Sequence, residues 1–152
     1  MSESAESIPA LLTRHALVAI DSNVLIYLIA GDPTRAEMAA AIVDAVATGR
    51  TGGVLSSAGL SEVLVGSARH NDGASFERIA ATIRDLGFRI ILLDAGAAED
   101  AAWIRGRTGM SLPDAIHIAC TRAAGATVFV TNDRAIRSGH GLEVRYLDDL
   151  VA

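Results

Sequence analysis

Short apolar runs rich in β-branched residues alternate along this chain with longer segments whose apolar positions recur every three to four residues. The runs ALVAI (16–20), GGVLSS (52–57), FRIILL (88–93), ATVFVT (126–131) and LEVRYL (142–147) are bounded by Gly, Asp, Ser or Asn, and they predict five strands. Between them, residues 22–30, 35–49, 58–69, 74–87, 95–107 and 113–125 have helical composition, several ending in Gly, and they predict six helices. Strands that are apolar on both faces and alternate with helices indicate a parallel sheet covered on each side. The expected fold is therefore α/β: a three-layer sandwich with a central, mostly parallel five-stranded sheet flanked by helices. Residues 16–152 read as one domain, and residues 1–15 as an N-terminal extension in which ESIPALLTRH is either an extra helix or a disordered tail.

Composition supports a real core, since 51% of the 152 residues are hydrophobic and a chain of this length buries most of the surface it exposes when unfolded. Aromatics make up only 4%, so Ala, Val, Ile and Leu must fill that core. No apolar run reaches the roughly 20 residues that span a bilayer, and the polar start MSESAES is not a signal peptide. A cytoplasmic protein without membrane contact is expected. The single cysteine, Cys120, excludes an internal disulfide and reads as a small core residue.

In a parallel α/β sheet the ligand site lies beyond the carboxyl ends of the strands, and four acids fall there. Asp21 directly follows ALVAI, Asp133 follows TVFVT with one Asn between, Asp114 opens the helix after Pro113, and Glu62 lies about one turn into the helix after GGVLSS. Each Asp alone reads equally well as a helix cap. Glu62 does not, because capping requires nothing at its position. Four carboxylates gathered within about 5 Å would repel by roughly 3 kcal/mol per pair at an effective dielectric of 20. All thirteen basic residues are Arg and none is Lys, so no lysine can neutralise them. The absence of Lys also excludes a P-loop phosphate site and Schiff-base chemistry. A divalent cation with hard oxygen ligands, Mg²⁺ or Mn²⁺, balances such a cluster. The implied chemistry is metal-assisted hydrolysis of a phosphodiester.

The series AIDSNVLIYLI, LSSAGLSEVLVG, SLPDAIHIACTRAAGA and VFVTNDRAIRSGHGLEVRYLDDL resembles a PIN domain, and most closely the VapC-type toxin ribonucleases of toxin–antitoxin pairs, over residues 16–150. The resemblance implies a Mg²⁺- or Mn²⁺-dependent endoribonuclease with Asp21, Glu62, Asp114 and Asp133 as catalytic, metal-binding acids, Asp21 and Asp114 being direct ligands. It maps small polar residues of the family onto Ser22, Asn23 and Thr131. It further implies an RNA substrate, a homodimer and a small antitoxin that binds beside the active site. Two features depart from the family pattern: the fifteen residues before the first strand, and Ala-Gly in SSAGLSE.

The net charge of −5 runs against nucleic-acid binding, but bound divalent ions would cancel most of it. Arg134 and Arg137 are then the best placed to meet RNA, Arg134 being the candidate substrate contact, followed by Arg105 and Arg107 in the loop leading to Asp114. His117 reads as a half-buried structural histidine, Trp103 as an anchor in the core or a dimer contact, Asp94 as a cap, and Asp148 and Asp149 as surface residues at a helix start. Other readings of the acids are a DNA nuclease or other non-toxin PIN nuclease, a catalytically silent PIN-like interaction module, and a haloacid-dehalogenase-type phosphatase. The last wants a second Asp where Asn23 stands, and a later Lys.

Overall fold

The computed structural model describes residues 4–152. In chain order the elements are β1 (Glu6–Ser7), α1 (Ile8–Arg14), β2 (Leu17–Ile20), α2 (Ser22–Ala30), α3 (Ala36–Ala47), β3 (Gly52–Ser56), α4 (Ser57–Arg69), α5 (Gly73–Asp85), β4 (Arg89–Ile91), α6 (Ala95–Thr108), α7 (Leu112–Ala123), β5 (Val128–Thr131), β6 (Glu143–Tyr146), a 3₁₀ turn (Leu147–Asp149) and β7 (Leu150–Val151). Strands β2 to β6 form one sheet of order β4-β3-β2-β5-β6, every pair parallel. The five expected strands and six expected helices are all present.

Alternation along the strands divides the core in two. Val18 and Ile20 of β2, Leu55 of β3, and Val128 and Val130 of β5 pack on the face covered by α1 to α5, with Val24, Leu25, Ile42 and Ile83. Ala19, Val54 and Phe129 point the other way, onto Ala101, Ile104, Ala115 and Ile118 of α6 and α7. Small residues on this second face let α6 and α7 lie close to the sheet, with Phe129 filling the remaining space. Glycine is required at Gly53, where a Cβ would meet Val46 Cγ1 at 2.6 Å and the Phe88 ring at 2.7 Å.

The segment before β2 is ordered as a helix. Ser7 caps α1 by accepting the Ala10 N–H (3.2 Å), and Ile8 and Leu11 are buried in the same core as β2. β1 pairs in parallel with β7, so the two ends of the fold meet. An ion network tightens this closure: Arg14 bonds both Glu6 (2.9 Å) and Glu143 (2.9 Å), Arg145 bonds Glu6 (2.8 Å), and buried His15 bridges Thr127 (2.7 Å) and Glu143 (3.0 Å). Arg14 holds the Glu143 carboxyl well below its usual range, at about 2.

Candidate active site

Strand order reverses at β2, whose neighbours are β3 on one side and β5 on the other. The crevice at such a reversal opens beyond the carboxyl end of the central strand, and that is where Asp21 sits. Its backbone N–H continues the ladder to Val130 (2.9 Å), and its side chain is the N-cap of α2. The carboxylate is buried and fully engaged: Oδ1 accepts the Ser22 N–H (2.7 Å) and Oδ2 accepts the Thr131 hydroxyl (2.8 Å). Asp21 is therefore both a cap and a member of a carboxylate cluster.

Glu62 reaches the same place from α4. The Ser22 hydroxyl donates to Glu62 Oε2 while lying against Asp21 Oδ1, and His117 Nε2 donates to Glu62 Oε1 (3.1 Å). One atom each from Asp21, Glu62 and His117 lies within 4.8 Å of the other two. The Glu62 side chain remains 41% exposed, so the cluster faces solvent on that side.

Asp114 and Asp133 are not part of that close group; they bear on it through charge and, for Asp133, through Thr131. Asp114 is not a helix cap; Ser111 is, and it accepts the Asp114 N–H (3.3 Å). Burial pushes the Asp114 carboxyl above the ordinary range, the Ser111 hydroxyl pulls it back, and the charges of Asp133 and Asp21 push it further up. Asp133 is tied to Asp21 through one residue: its N–H donates to Thr131 Oγ1 (3.0 Å), the same hydroxyl that bonds Asp21. Its own Oδ1 closes a turn onto the Ala135 N–H (2.9 Å). Asn23 donates weakly to Thr131 (3.4 Å), and its Oδ1 is buried without a partner among the described residues.

The donor set fits a hard divalent ion. Ligands on opposite sides of Mg²⁺ stand about 4 Å apart, and oxygens of Asp21 and Glu62 lie within 4.8 Å of each other. Among the described residues no arginine forms an ion pair with any of the four acids, whereas Glu6, Asp32, Asp100, Glu143, Asp148 and Asp149 all have one. The unpartnered Asn23 Oδ1 adds one more oxygen beside the cluster.

The arginines and marked residues differ from expectation in places. Arg105 and Arg107 lie in the last turn of α6, not in a loop, because the helix runs on to Thr108 and stops at Gly109 in the left-handed region. Arg105 donates to the Met110 carbonyl (2.7 Å). Arg134 is exposed but held by Asp149 in two bonds of 2.8 Å, over the Tyr146 ring. Arg137 lines a cavity of about 460 Å³ beside Asp114, with Ser111, Ser138 and His140. Trp103 is 65% exposed under Arg107 and does not anchor the core. Asp94 caps α6 through Ala97 (2.9 Å), Asp148 and Asp149 are surface residues of the 3₁₀ turn, and Cys120 is buried. His117 is only 2% exposed, more enclosed than the sequence suggested, and it touches Glu62; its position three residues after Asp114 in a helix was the available signal.

The family model of the PIN domain matches residues 18–139 of this chain. The chain belongs to the PIN domain family. Solved PIN-fold structures agree with the architecture. A toxin–antitoxin complex from Klebsiella pneumoniae shares 21% identity over 89% of this chain and 96% of that one, with a TM-score of 0.62. VapBC2 from Rickettsia felis, bound to a DNA fragment of its promoter, shares 16% over 86% and 98%, with a TM-score of 0.68. VapC20 of Mycobacterium tuberculosis, a toxin that cleaves the sarcin–ricin loop, shares 18% over 74% and 86%, with a TM-score of 0.57. At these identities the likeness is one of fold. No curated protein sequence matches the chain. No described helix of this PIN domain is long and apolar enough to cross a membrane.

Proposed function

We propose that this PIN domain is a Mg²⁺- or Mn²⁺-dependent endoribonuclease acting in the cytoplasm as the toxin of a toxin–antitoxin pair. The observation that carries the reading is the set of acids at the β2 reversal that no arginine pairs with among the described residues. The acids of the Arg14–Glu6–Glu143 network and of the 3₁₀ turn are each neutralised by an arginine, whereas these four are left to an outside cation.

Asp21 and Asp114 would hold the ion directly, with Glu62 and Asp133 completing the site. A bound divalent ion supplies positive charge at the scissile phosphate and a more acidic water. The chain's own contribution is rigidity. Ser22 links Asp21 to Glu62, Thr131 links Asp21 to Asp133, and the α2 N-terminus beneath Asp21 favours negative charge there. Arg137 and the hydroxyls of Ser111 and Ser138, lining the cavity beside Asp114, suit a flanking phosphate or ribose. Arg134 would contact RNA only by leaving Asp149. With so few aromatics, recognition rests on backbone and shape rather than base stacking.

For the antitoxin partner, the support is a groove of about 490 Å³ that runs from Glu62 along Ile26, Ile29 and Val65, three exposed apolar side chains. An apolar segment lying there would bring its flanking residues to the acids. Exposed Leu92, Trp103 and Leu112 are consistent with a homodimer.

Purified protein should cut RNA in Mg²⁺ or Mn²⁺ and stop in EDTA; cutting that persists in EDTA would exclude the metal mechanism. A parallel DNA substrate should remain intact. In a bacterial host, wild-type protein should arrest growth and Asp114→Asn should not, and equal arrest by both would contradict nuclease toxicity.

A further inference from the structure

Buried His117 is engaged on both ring nitrogens. Nδ1 lies 2.7 Å from Ser56 Oγ and Nε2 lies 3.1 Å from Glu62 Oε1. Glu62, as a carboxylate, can only accept, so the hydrogen of that bond belongs to Nε2. On the other side, Ser56 Oγ accepts the Gly59 N–H (2.9 Å) as the N-cap of α4, and in the neutral ring with its hydrogen on Nε2 it donates its own hydrogen to Nδ1. The ring is further fixed by Phe129, whose centroid lies 6.4 Å away at an interplanar angle of 25°. Gly59 lies beside the pair: a Cβ there would meet Leu55 Cδ1 at 2.8 Å and Ser56 Oγ at 3.3 Å, with His117 Cε1 at an ordinary contact of 3.6 Å.

We infer that His117 is a positioning residue: its Nε2–H holds Glu62 toward Asp21, and Ser56 sets the ring for that task. The inference deepens the nuclease reading and rests on it for its consequence, but the orientation itself concerns only this chain's side chains. Without such a tether Glu62, on the exposed rim of α4, would sample several rotamers at a cost to the site each time it must be recruited. With it, each Glu62 oxygen has one donor, Ser22 on Oε2 and His117 on Oε1, and both oxygens keep a lone pair for a cation. The nearness of Nε2 to Asp21 Oδ1, 3.9 Å, also makes histidine a geometric candidate for a third ligand. Its occupied hydrogen bond and the preference of Mg²⁺ for oxygen argue for the tether.

The direct test is the ¹⁵N–¹H correlation spectrum of the imidazole at neutral pH, first in EDTA and then with saturating Mg²⁺. A protonated Nε2 in both conditions supports the inference. An unprotonated Nε2 in EDTA, or one that loses its proton as Mg²⁺ binds, overturns it, the second result making His117 a ligand. Two variants test the consequence by calorimetric titration with Mn²⁺. Gln places an amide N–H near the Nε2 position and Asn does not, so His117→Asn should weaken Mn²⁺ binding about 10- to 100-fold, as loss of an outer-shell partner does, while His117→Gln keeps the greater part of the affinity. Equal weakening in both variants, with equal loss of thermal stability, would make His117 merely structural and overturn the inference. A wild-type protein that keeps its Nε2–H but binds neither ion supports the role of His117 in aligning Glu62 and instead overturns the metal reading.

Discussion

Replacing Asp21 by Asn separates its two roles. Asn caps a helix as well as Asp does, so the N-terminus of α2 is preserved. One hydrogen bond is lost, because Thr131 now donates to Oδ2 (2.8 Å) and would face an amide nitrogen; that costs about 1 kcal/mol. Against this stands relief of repulsion. Asp21 and Glu62 oxygens lie within 4.8 Å, which at an effective dielectric of 20 is worth about 3 kcal/mol and in bulk water about 1. Glu62 is partly exposed, so the true figure lies between these limits, and the net effect in EDTA is a gain of roughly 0–2 kcal/mol. For a chain of this size each kcal/mol moves the midpoint by about 2–4 °C. With Mg²⁺ at a hundred times its dissociation constant, the wild type gains about 2.7 kcal/mol and the variant gains little. Thermal unfolding followed by circular dichroism should thus rank Asp21→Asn at or above wild type in EDTA and below it in Mg²⁺. A variant less stable than wild type by the same margin in both buffers would refute the reasoning and leave Asp21 no more than the hydrogen-bond partner of Thr131.

Other perturbations reach other parts of the fold. Glu143 falls from the ordinary 4.5 to about 2, which would be worth roughly 3 kcal/mol if fully enclosed; screening at this partly exposed network reduces it to about 1 kcal/mol. A depressed carboxyl contributes above its unfolded value and loses that contribution as pH falls through the folded one. Urea denaturation should therefore show Glu143→Gln less stable than wild type at pH 6 and the gap closing between pH 4.5 and 2; a constant gap would rule out the ion network as its source. Gly53→Ala, forced against Val46 and Phe88, should cost about 1–3 kcal/mol in the same assay. Ser111→Ala removes the cap of α7 and should cost about 1 kcal/mol while lowering nuclease activity, because Asp114 sits on that first turn. Asn132→Ala breaks the contacts of the Asp133 loop with Tyr27 (3.4 Å) and Asp148 (3.0 Å); RNA cleavage should fall more than stability does, measured by turnover against melting temperature.

The local patterns carried most of the architecture. Residues 22–30 fold as the expected helix because Asp21 starts it and Gly31, in the left-handed region, ends it, both short-range signals. The acids were legible from similar local signals: Asp21 and Asp133 follow strands β2 and β5, Asp114 lies in the first turn of α7, and Glu62 sits within α4 where capping asks for no acid. What sequence could not convey was pairing at long range. β1 and β7 are two residues each and have no periodicity of their own; they form because Ile8 and Leu11 find the core and Arg14 finds Glu143, 129 positions away. Arg134 looked free because Asp149, fifteen residues on, is brought back by β6. Trp103 looked buried because large apolar residues usually are, yet Ala101 and Ile104 already fill that side of α6. His117 showed its apolar surroundings and its nearness to Asp114, but not the carboxylate and hydroxyl that meet it from α4 and β3.

The strap formed by β6 and the 3₁₀ turn has a bearing on when a newly made chain becomes competent. Synthesis delivers all four acids by residue 133, yet the loop carrying Asp133 is braced by Arg134 on Asp149 and by Asn132 on the backbone of Asp148, and the outer edge of β5 stays open until Glu143–Tyr146 pairs with it. A nascent chain stalled after residue 140 would thus hold every acid without the frame that aims the last of them. If the site cuts RNA as proposed, that activity would wait for the final stretch of the chain, which alone supplies the brace.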